Sequence, residues 1–326
     1  MRLPDELRSA IVEETAKVDP RALAAAAERL TERYKRNDFS AALGTPADRA
    51  AYLAVRMPAT FAACSKVFAA VCECIADSHF TSLLDVGAGP GTSGWAGCEV
   101  FSVEAITCIE RNHALADIGQ RLASQAKTPV RNARWLPGDI AQLRDLAPHD
   151  LVVFSYLIAE LPEPQLENTI RSAWMKAKSL LVLIEPGTPD GFKRIHASRA
   201  LLLQLGAHLV APCPHAQTCP MFANGDWCHF AARLERTSEH RRLKAGSLGY
   251  EDEKFSYLVA SKQRVALSDS RVLRHPLIHP GHIRLTLCRP EQPESRTVTK
   301  SHKAEWRYAR KVEWGDQWQP PLPPAS

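Results

Sequence analysis

The sequence predicts an α/β protein in which a helical region leads into a largely parallel sheet, interrupted late by a cysteine-rich insertion. Three observations predict it. From Ser82 onward short apolar strands alternate with helical stretches, the texture of a parallel sheet with crossover helices. The first strand runs into a glycine-rich turn, LLDVGAGPGTSG at 83–94. Three cysteines then crowd into APCPHAQTCPMFANGDWCHF, and a fourth, Cys288, ends RLTLC.

Residues 1–78 read as helices. The stretch from Ala22 to Leu30 is rich in alanine, the best helix former, and continues as TERYKR. From Tyr52, YLAVRMPATFAACSKVFAAVCECIA carries an apolar helical stripe that Pro58 is expected to interrupt. TSLLDVG is then a buried strand closed by glycines, and EAITCIE is the second. ARWLPGD is a weaker third, DLVVFSYLI a fourth and SLLVLIEPG a fifth. A helix near 192–206 leads to the insertion, at about 207–250, set between that helix and the sixth strand. FSYLVAS and HIRLTLC follow as a terminal antiparallel pair. Seven strands with five leading βα units describe a class I S-adenosylmethionine-dependent methyltransferase (Rossmann-like) sheet, placed at 79–290. Residues 291–326 form a polar, basic tail, and its final QPPLPPAS is expected to be disordered.

Composition narrows the function classes. Apolar residues at 45% support a sizeable core, and no run is expected to reach membrane-spanning length. The start MRLPDELRSA has no apolar run for a signal peptide and is not the Arg-rich, acid-poor start of a transit peptide. A cytoplasmic location, a monomer and no membrane contact are therefore expected. The net charge of +5 is unevenly spread: residues 1–190 carry 20 Lys+Arg against 24 Asp+Glu, residues 191–326 carry 21 against 12. A basic second half on an acidic first half points to a polyanion such as nucleic acid.

The glycine loop lets backbone approach a ligand closely, with a helix N-terminus behind it. Dinucleotide folds use a related pattern, so the loop alone decides little. Its company favours S-adenosylmethionine. Asp85 precedes Gly87, Gly89 and Gly91 as in the E/D-x-G-x-G-x-G motif, where the acid serves the methionine end. Glu110 closes the second strand, where a carboxylate would accept both ribose hydroxyls. Asp139, after Gly138, stands where an acid meets the adenine amine. No residue has to be catalytic: the fourth strand ends in FSYLIAELPE, without the N/D-P-P-Y/F/W of amine methylation. Tyr156 and Glu160 line the expected acceptor mouth.

Cys213, Cys219, Cys228 and Cys288 suit four thiolates on one soft metal centre. Pro214 and Pro220 directly follow two of them, and a proline there removes a donor and stiffens the loop, as in iron–sulfur sites. Zinc fits the same residues, with His215 or His229 able to substitute, and spacing does not separate the two. Cys64, Cys72, Cys74, Cys98 and Cys108 lie in apolar patterns and read as buried thiols.

Taken together, the chain resembles the methyltransferase-like assembly factors of the small ribosomal subunit, known from mitochondria and with bacterial relatives. The resemblance runs from about 52 to 318. It rests on Tyr52…Arg56-Met57-Pro58-Ala59-Thr60, DVGAGPG, FSYLIAEL, IEPGTPDGF, CPH…CP…WCHF, GHIRLTLC and ARKVEWGDQW. It implies a [4Fe-4S] cluster on the four cysteines. It also implies binding to small-subunit rRNA and proteins during late maturation, with methyl transfer not required. An active rRNA methyltransferase, or an iron- or redox-sensing ribosome-binding module, are the alternatives. The cations expected to meet phosphates are Arg233, Arg236, Arg241, Arg242 and Lys244, then Lys300, Lys303, Arg307, Arg310 and Lys311 in the tail. Trp306, Tyr308 and Trp314 would stack on bases.

Overall fold

The computed structural model describes residues 1–35, 43–75, 79–235 and 250–320, and side chains throughout these except at 35, 141 and 142. Three helices lead: α1 (Asp5–Thr15), α2 (Pro20–Lys35) and α3 (Pro46–Cys74). Thr45 and Asp48 start α3 with reciprocal side-chain-to-backbone hydrogen bonds, and Pro46 fills a first-turn position where no donor is needed. Pro58 does not interrupt it: the helix runs through, with Pro58 buried among its neighbours. Nor is the expectation of no membrane-length run met, since α3 is long and apolar enough by length and composition. Burial explains it, because 78% of its most apolar window is inside the protein.

The sheet strands and helices then alternate: β1 (Ser82–Val86), α4 (Thr92–Val100), β2 (Ala105–Glu110), α5 (His113–Ser124), β3 (Arg134–Pro137), β4 (His149–Ser155), α6 (Glu163–Lys176), β5 (Ala177–Pro186), α7 (Pro189–Gln204) and β6 (His208–Ala211). After the short helix α8 (Pro220–Ala223) come β7 (Phe230–Glu235) and the long β8 (Tyr250–Ser261). The main sheet orders β3-β2-β1-β4-β5-β8-β6, with β7 also on β8. β1 to β5 are mutually parallel, and β8 is antiparallel to β5. This is the class I methyltransferase-like, Rossmann-type fold. Both faces of the parallel strands are buried, by α3, α4 and α5 on one side and α6 and α7 on the other. β1, β4 and β5 accordingly read as continuous apolar runs.

Two strand assignments from sequence need correction. The main sheet has eight strands, not seven. Two of its strands went unassigned from sequence, the HLVA strand β6, only four residues long ahead of Pro212, and FAARLE, β7. HIRLTLC does not join the main sheet. It forms β11 (His282–Leu287), central in a separate antiparallel sheet with β10 (Leu277–Ile278) and β12 (Glu294–Thr299). Ile283, Leu285 and Leu287 point to one buried face and alternate with exposed positions, the pattern of a sheet covered on one side only. That face packs with Val298, Val312, Trp318 and α9 (Lys303–Ala309). A further pair, β9 (Ser270–Arg271) with β13 (Gln317–Trp318), closes this unit. Residues 294–318 of the expected tail are thus built into a small sheet; 321–326 lie outside the described residues.

β8 explains where the cysteines go. Along its outer edge β7 pairs with Tyr250–Phe255 and β6 with Val259–Ser261. Between them a short stretch of edge is free of strand pairing. The cysteine segment is the connection from β6 to β7, rather than an insertion between α7 and the sixth strand. It covers that stretch, where Ser256 Oγ donates to the Cys228 carbonyl at 2.8 Å.

Candidate functional site

A cleft of about 750 Å³ opens at the C-terminal ends of the parallel strands, where ligands bind in open α/β sheets. Gly87 and Gly89 form part of its wall, both left-handed at φ 68° and 56°. L side chains rarely adopt the Gly87 φ, and a Cβ there would also press on the tip of the Leu157 side chain at 2.6 Å. Gly91 turns away toward Trp135 and lies outside the wall. Glu110 is buried at the end of β2. Its two oxygens accept from the Gly89 amide at 2.8 Å and the Asn112 amide at 2.7 Å. The carboxylate therefore shapes the glycine loop and still presents lone pairs to the cleft. Asp139 lines the same cleft beside Gly138.

Asp85 sits beneath the loop, not in the cleft wall. It is fully buried, and neither carboxylate oxygen has a partner at hydrogen-bond geometry among the described residues. Burial pushes its carboxyl up to about 7. Ser93 and the amides of Ser93 and Gly94 oppose this, while the charge of Glu110 adds to it. A buried acid of this kind is suited to a cationic group or a bound water.

The expected acceptor mouth is occupied by a network that the sequence reading did not single out. Tyr156 takes a left-handed φ of 58° at the end of β4, and its hydroxyl donates to Glu253 Oε1 at 2.9 Å. Arg56 of α3 grips Glu253 with two hydrogen bonds, 2.9 and 3.1 Å, and lies 4.1 Å over the Tyr34 ring. Burial holds the Tyr156 hydroxyl well above its ordinary range, and the charge of Glu253 adds to this. Glu160 pairs with Arg111 at 2.9 Å near the cleft rim. Glu185 braces the 158–160 turn by accepting from the Ile158 amide and pairing with Arg194. Only the family-like YxxxRMPAT stretch signalled Arg56, because its partner Glu253 is 197 residues away.

Cys213, Cys219, Cys228 and Cys288 line one small chamber of about 30 Å³ with Arg199. All four are free thiols. Burial pushes Cys288 up to about 12 and Cys228 well above its ordinary range, and the charges of the other cysteines add to both. Arg199 donates to the carbonyls of His215 and Gln217 at 2.9 and 2.7 Å, which pins the loop. His215 Nε2 stands 3.6 Å from Cys288 Sγ. His229 instead stacks on Trp227 and meets the edge of Trp314. Among the described residues no three of His, Cys, Asp and Glu stand close enough to hold a single metal ion.

The expected RNA residues divide. Lys300, Lys303, Arg307, Arg310 and Lys311 are exposed. Trp314 is buried between His229 and His275, and Tyr308 donates to the Gln317 carbonyl against Trp318. Trp306 packs partly on the small-sheet core. Trp314 thus holds the fold and is not free to stack on a base, whereas Trp306 and Tyr308 keep part of their surface exposed. Arg233 pairs with Asp252 at 2.8 Å. Arg236, Arg241, Arg242 and Lys244 lie outside the described residues.

The family model described as "Mitochondrial small ribosomal subunit Rsm22" matches residues 46–319. The chain is 26% identical over 289 residues to "Ribosome assembly protein METTL17, mitochondrial" of Homo sapiens, covering 81% of this chain and 61% of that protein. It is 29% identical over 291 residues to "Rsm22-cox11 tandem protein 2, mitochondrial" of Schizosaccharomyces pombe, covering 72% of this chain and 38% of that one. The chain thus spans less than two thirds of the length of either relative. Among solved structures, a precorrin-6y C5,15-methyltransferase from Geobacter metallireducens overlaps 61% of this chain and 87% of its own, at 18% identity and TM-score 0.40. A magnesium protoporphyrin IX methyltransferase from Synechocystis overlaps 62% and 80%, at 14% identity and TM-score 0.40. The expected cytoplasmic location is corrected by these matches, since the family and both relatives are described as mitochondrial.

Proposed function

The chain belongs to the Rsm22 family of mitochondrial small-ribosomal-subunit proteins, and from that premise we propose that it is an assembly factor which binds small-subunit rRNA on a methyltransferase-like scaffold. The family match over residues 46–319 carries this reading, because it includes the cleft, the cysteine chamber and the small sheet together. The excess of cations after residue 190 supports a polyanionic partner.

The cleft residues fit S-adenosylmethionine. Glu110 and the amides around Gly87 and Gly89 would hold the ribose and approach the ligand, and Asp139 would meet the adenine. The unpartnered Asp85 would balance positive charge at the methionine end. When bound, the ligand supplies an activated methyl group. An active rRNA methyltransferase is the second reading, favoured by the open cleft. Against it, the Tyr156 hydroxyl is already committed to Glu253.

The four cysteines fit a soft metal centre in donor type and burial. Four acidifiable thiols share one buried chamber, and clustering them as thiolates without a cation is electrostatically unfavourable. Among the described residues they do not stand at metal-ion spacing, so the preference for a [4Fe-4S] cluster over zinc rests on the family resemblance and on the prolines that follow Cys213 and Cys219. Such a group would tie the β6–β7 connection to the end of β11. It would thereby link the small sheet to the large one, and its loss would loosen that junction.

Mapping rRNA methyl groups in cells with and without the gene separates the readings. Loss of one specific methyl group supports the enzyme. An unchanged methylation map with fewer mature small subunits supports the assembly factor.

A further inference from the structure

The three-stranded sheet has a second face, turned away from its packed core. Cross-strand register fixes which residues share it: Leu277 stands opposite Arg284, and His282 opposite Thr299. The other face carries Ile283 opposite Val298, both fully buried. α9 lies on that buried side, where Arg296 reaches Glu305 at 2.8 Å. Position-2 alternation therefore sends Leu277, His282 and Arg284 away from the core.

The outward face has the chemistry of a nucleic-acid platform. His279 and His282 meet across the hairpin with ring centroids 4.5 Å apart and planes 19° apart, an already stacked aromatic pair. Leu277 is 52% exposed beside Arg284, which is also exposed and makes no ion pair among the described residues. On the neighbouring strand Ser295, Thr297 and Thr299 bring only hydroxyls to this face. From residue 270 to 290 the sequence has four arginines and three histidines and no Asp or Glu. Lys300 follows β12 at the platform's edge and is exposed.

We propose that the outward face of the β10–β11–β12 sheet is a binding platform for an unpaired segment of RNA. Bases stack on the His279–His282 pair and on Leu277, Arg284 meets a phosphate, and the threonine hydroxyls meet the 2′-hydroxyls. Among the described residues the three strands bring no carboxylate to this face, which selects a polyanion over a basic or neutral protein surface. The inference rests on the reading of the chain as an rRNA-binding protein. It adds a histidine pair as a stacking surface, where Trp314 of the tail is buried.

The test uses the full chain and a fluorescent single-stranded 12-nucleotide RNA, with small-subunit rRNA as a second probe. His279→Ala/His282→Ala should weaken binding about ten-fold with an unchanged salt slope, because stacking releases no counterions. Arg284→Gln should weaken binding and reduce the log–log salt slope by about 0.7. Both changes are on the exposed face, and thermal unfolding of each variant checks that the fold is kept. A third variant, Thr297→Glu, adds a charge to the same face without removing a ring and should also weaken binding. If wild-type chain binds neither RNA, the rRNA-binding reading fails and the platform with it. If wild type binds and all three variants bind within two-fold of it, the platform alone is overturned. Loss of binding to assembled small subunits with RNA binding intact would overturn it too, by assigning the face to a protein.

Discussion

Asp85→Asn should make the protein more stable, and increasingly so as pH rises. The side chain is fully buried without a hydrogen-bond partner among the described residues, and burial pushes its carboxyl from an ordinary 3.8 up to about 7. The folded state therefore holds a proton that the unfolded chain has released between those two values. An acid whose folded pKa is raised loses stability as pH climbs through this window, and the loss levels off above about pH 7. Three pK units correspond to about 4 kcal/mol in full, of which about 2–3 kcal/mol falls between pH 5 and pH 8. Urea unfolding followed by tryptophan fluorescence, at both pH values, gives the comparison. The stability gap between Asp85→Asn and wild type should widen by about 2–3 kcal/mol at pH 8. A gap equal at the two pH values would refute the assignment of a buried, protonated acid beneath the glycine loop. The same logic reaches the ligand. A cationic methionine end above Asp85 should stabilise wild type more than Asp85→Asn, and more at pH 8 than at pH 5.

Glu110→Ala should weaken S-adenosylmethionine or its demethylated product by about ten-fold or more in calorimetry, since a charge-assisted hydrogen bond is worth about 1.5–3 kcal/mol. It should also lower stability, because the Gly89 and Asn112 amides lose their acceptor. Undiminished affinity would remove Glu110 from the site. Protein purified without oxygen should be brown, and Cys213→Ser, Cys219→Ser, Cys228→Ser or Cys288→Ser should each abolish the absorbance near about 400 nm and expose the β6–β7 connection to protease. Stoichiometric zinc with no iron would count against the cluster. Neutralising Arg307, Arg310 and Lys311 should flatten the salt dependence of small-subunit binding by about 0.7–0.9 per lost phosphate contact. The comparison triple at Arg29, Arg33 and residue 35 should do much less. Breaking the buried pair with Arg56→Ala should cost about 3–5 kcal/mol in thermal or urea unfolding, because the Glu253 charge is left with only the neutral Tyr156 hydroxyl. A loss below 1 kcal/mol would mean that water reaches the pair.

The parallel half of the fold was legible because each strand is a short, continuous apolar run and each ends in a marked turn. Asp85, Gly87, Gly89 and Glu110 could be placed in register because they sit at the ends of those strands, where local sequence determines position. What failed was long-range. HIRLTLC looks like any half-buried strand, and only its partners Glu294–Thr299 and Leu277–Ile278 reveal that it belongs to a second sheet. The tail tryptophans looked free because their neighbours in sequence are charged, whereas Trp314 is covered by His229 and His275 from elsewhere in the chain. The pairing of Arg56 with Glu253 was hidden for the same reason, since a buried ion pair leaves no periodic trace in either strand or helix. Pro58 misled through a local rule that the packing of α3 overrides.

The central claim is that this chain touches small-subunit rRNA. Ultraviolet crosslinking of the tagged full chain in cells, followed by sequencing of the bound RNA, tests it most directly. The account predicts crosslinks concentrated in small-subunit rRNA, sedimenting with immature small subunits and reduced by His279→Ala/His282→Ala. Crosslinks no more abundant on small-subunit rRNA than on large-subunit rRNA or messenger RNA would contradict it.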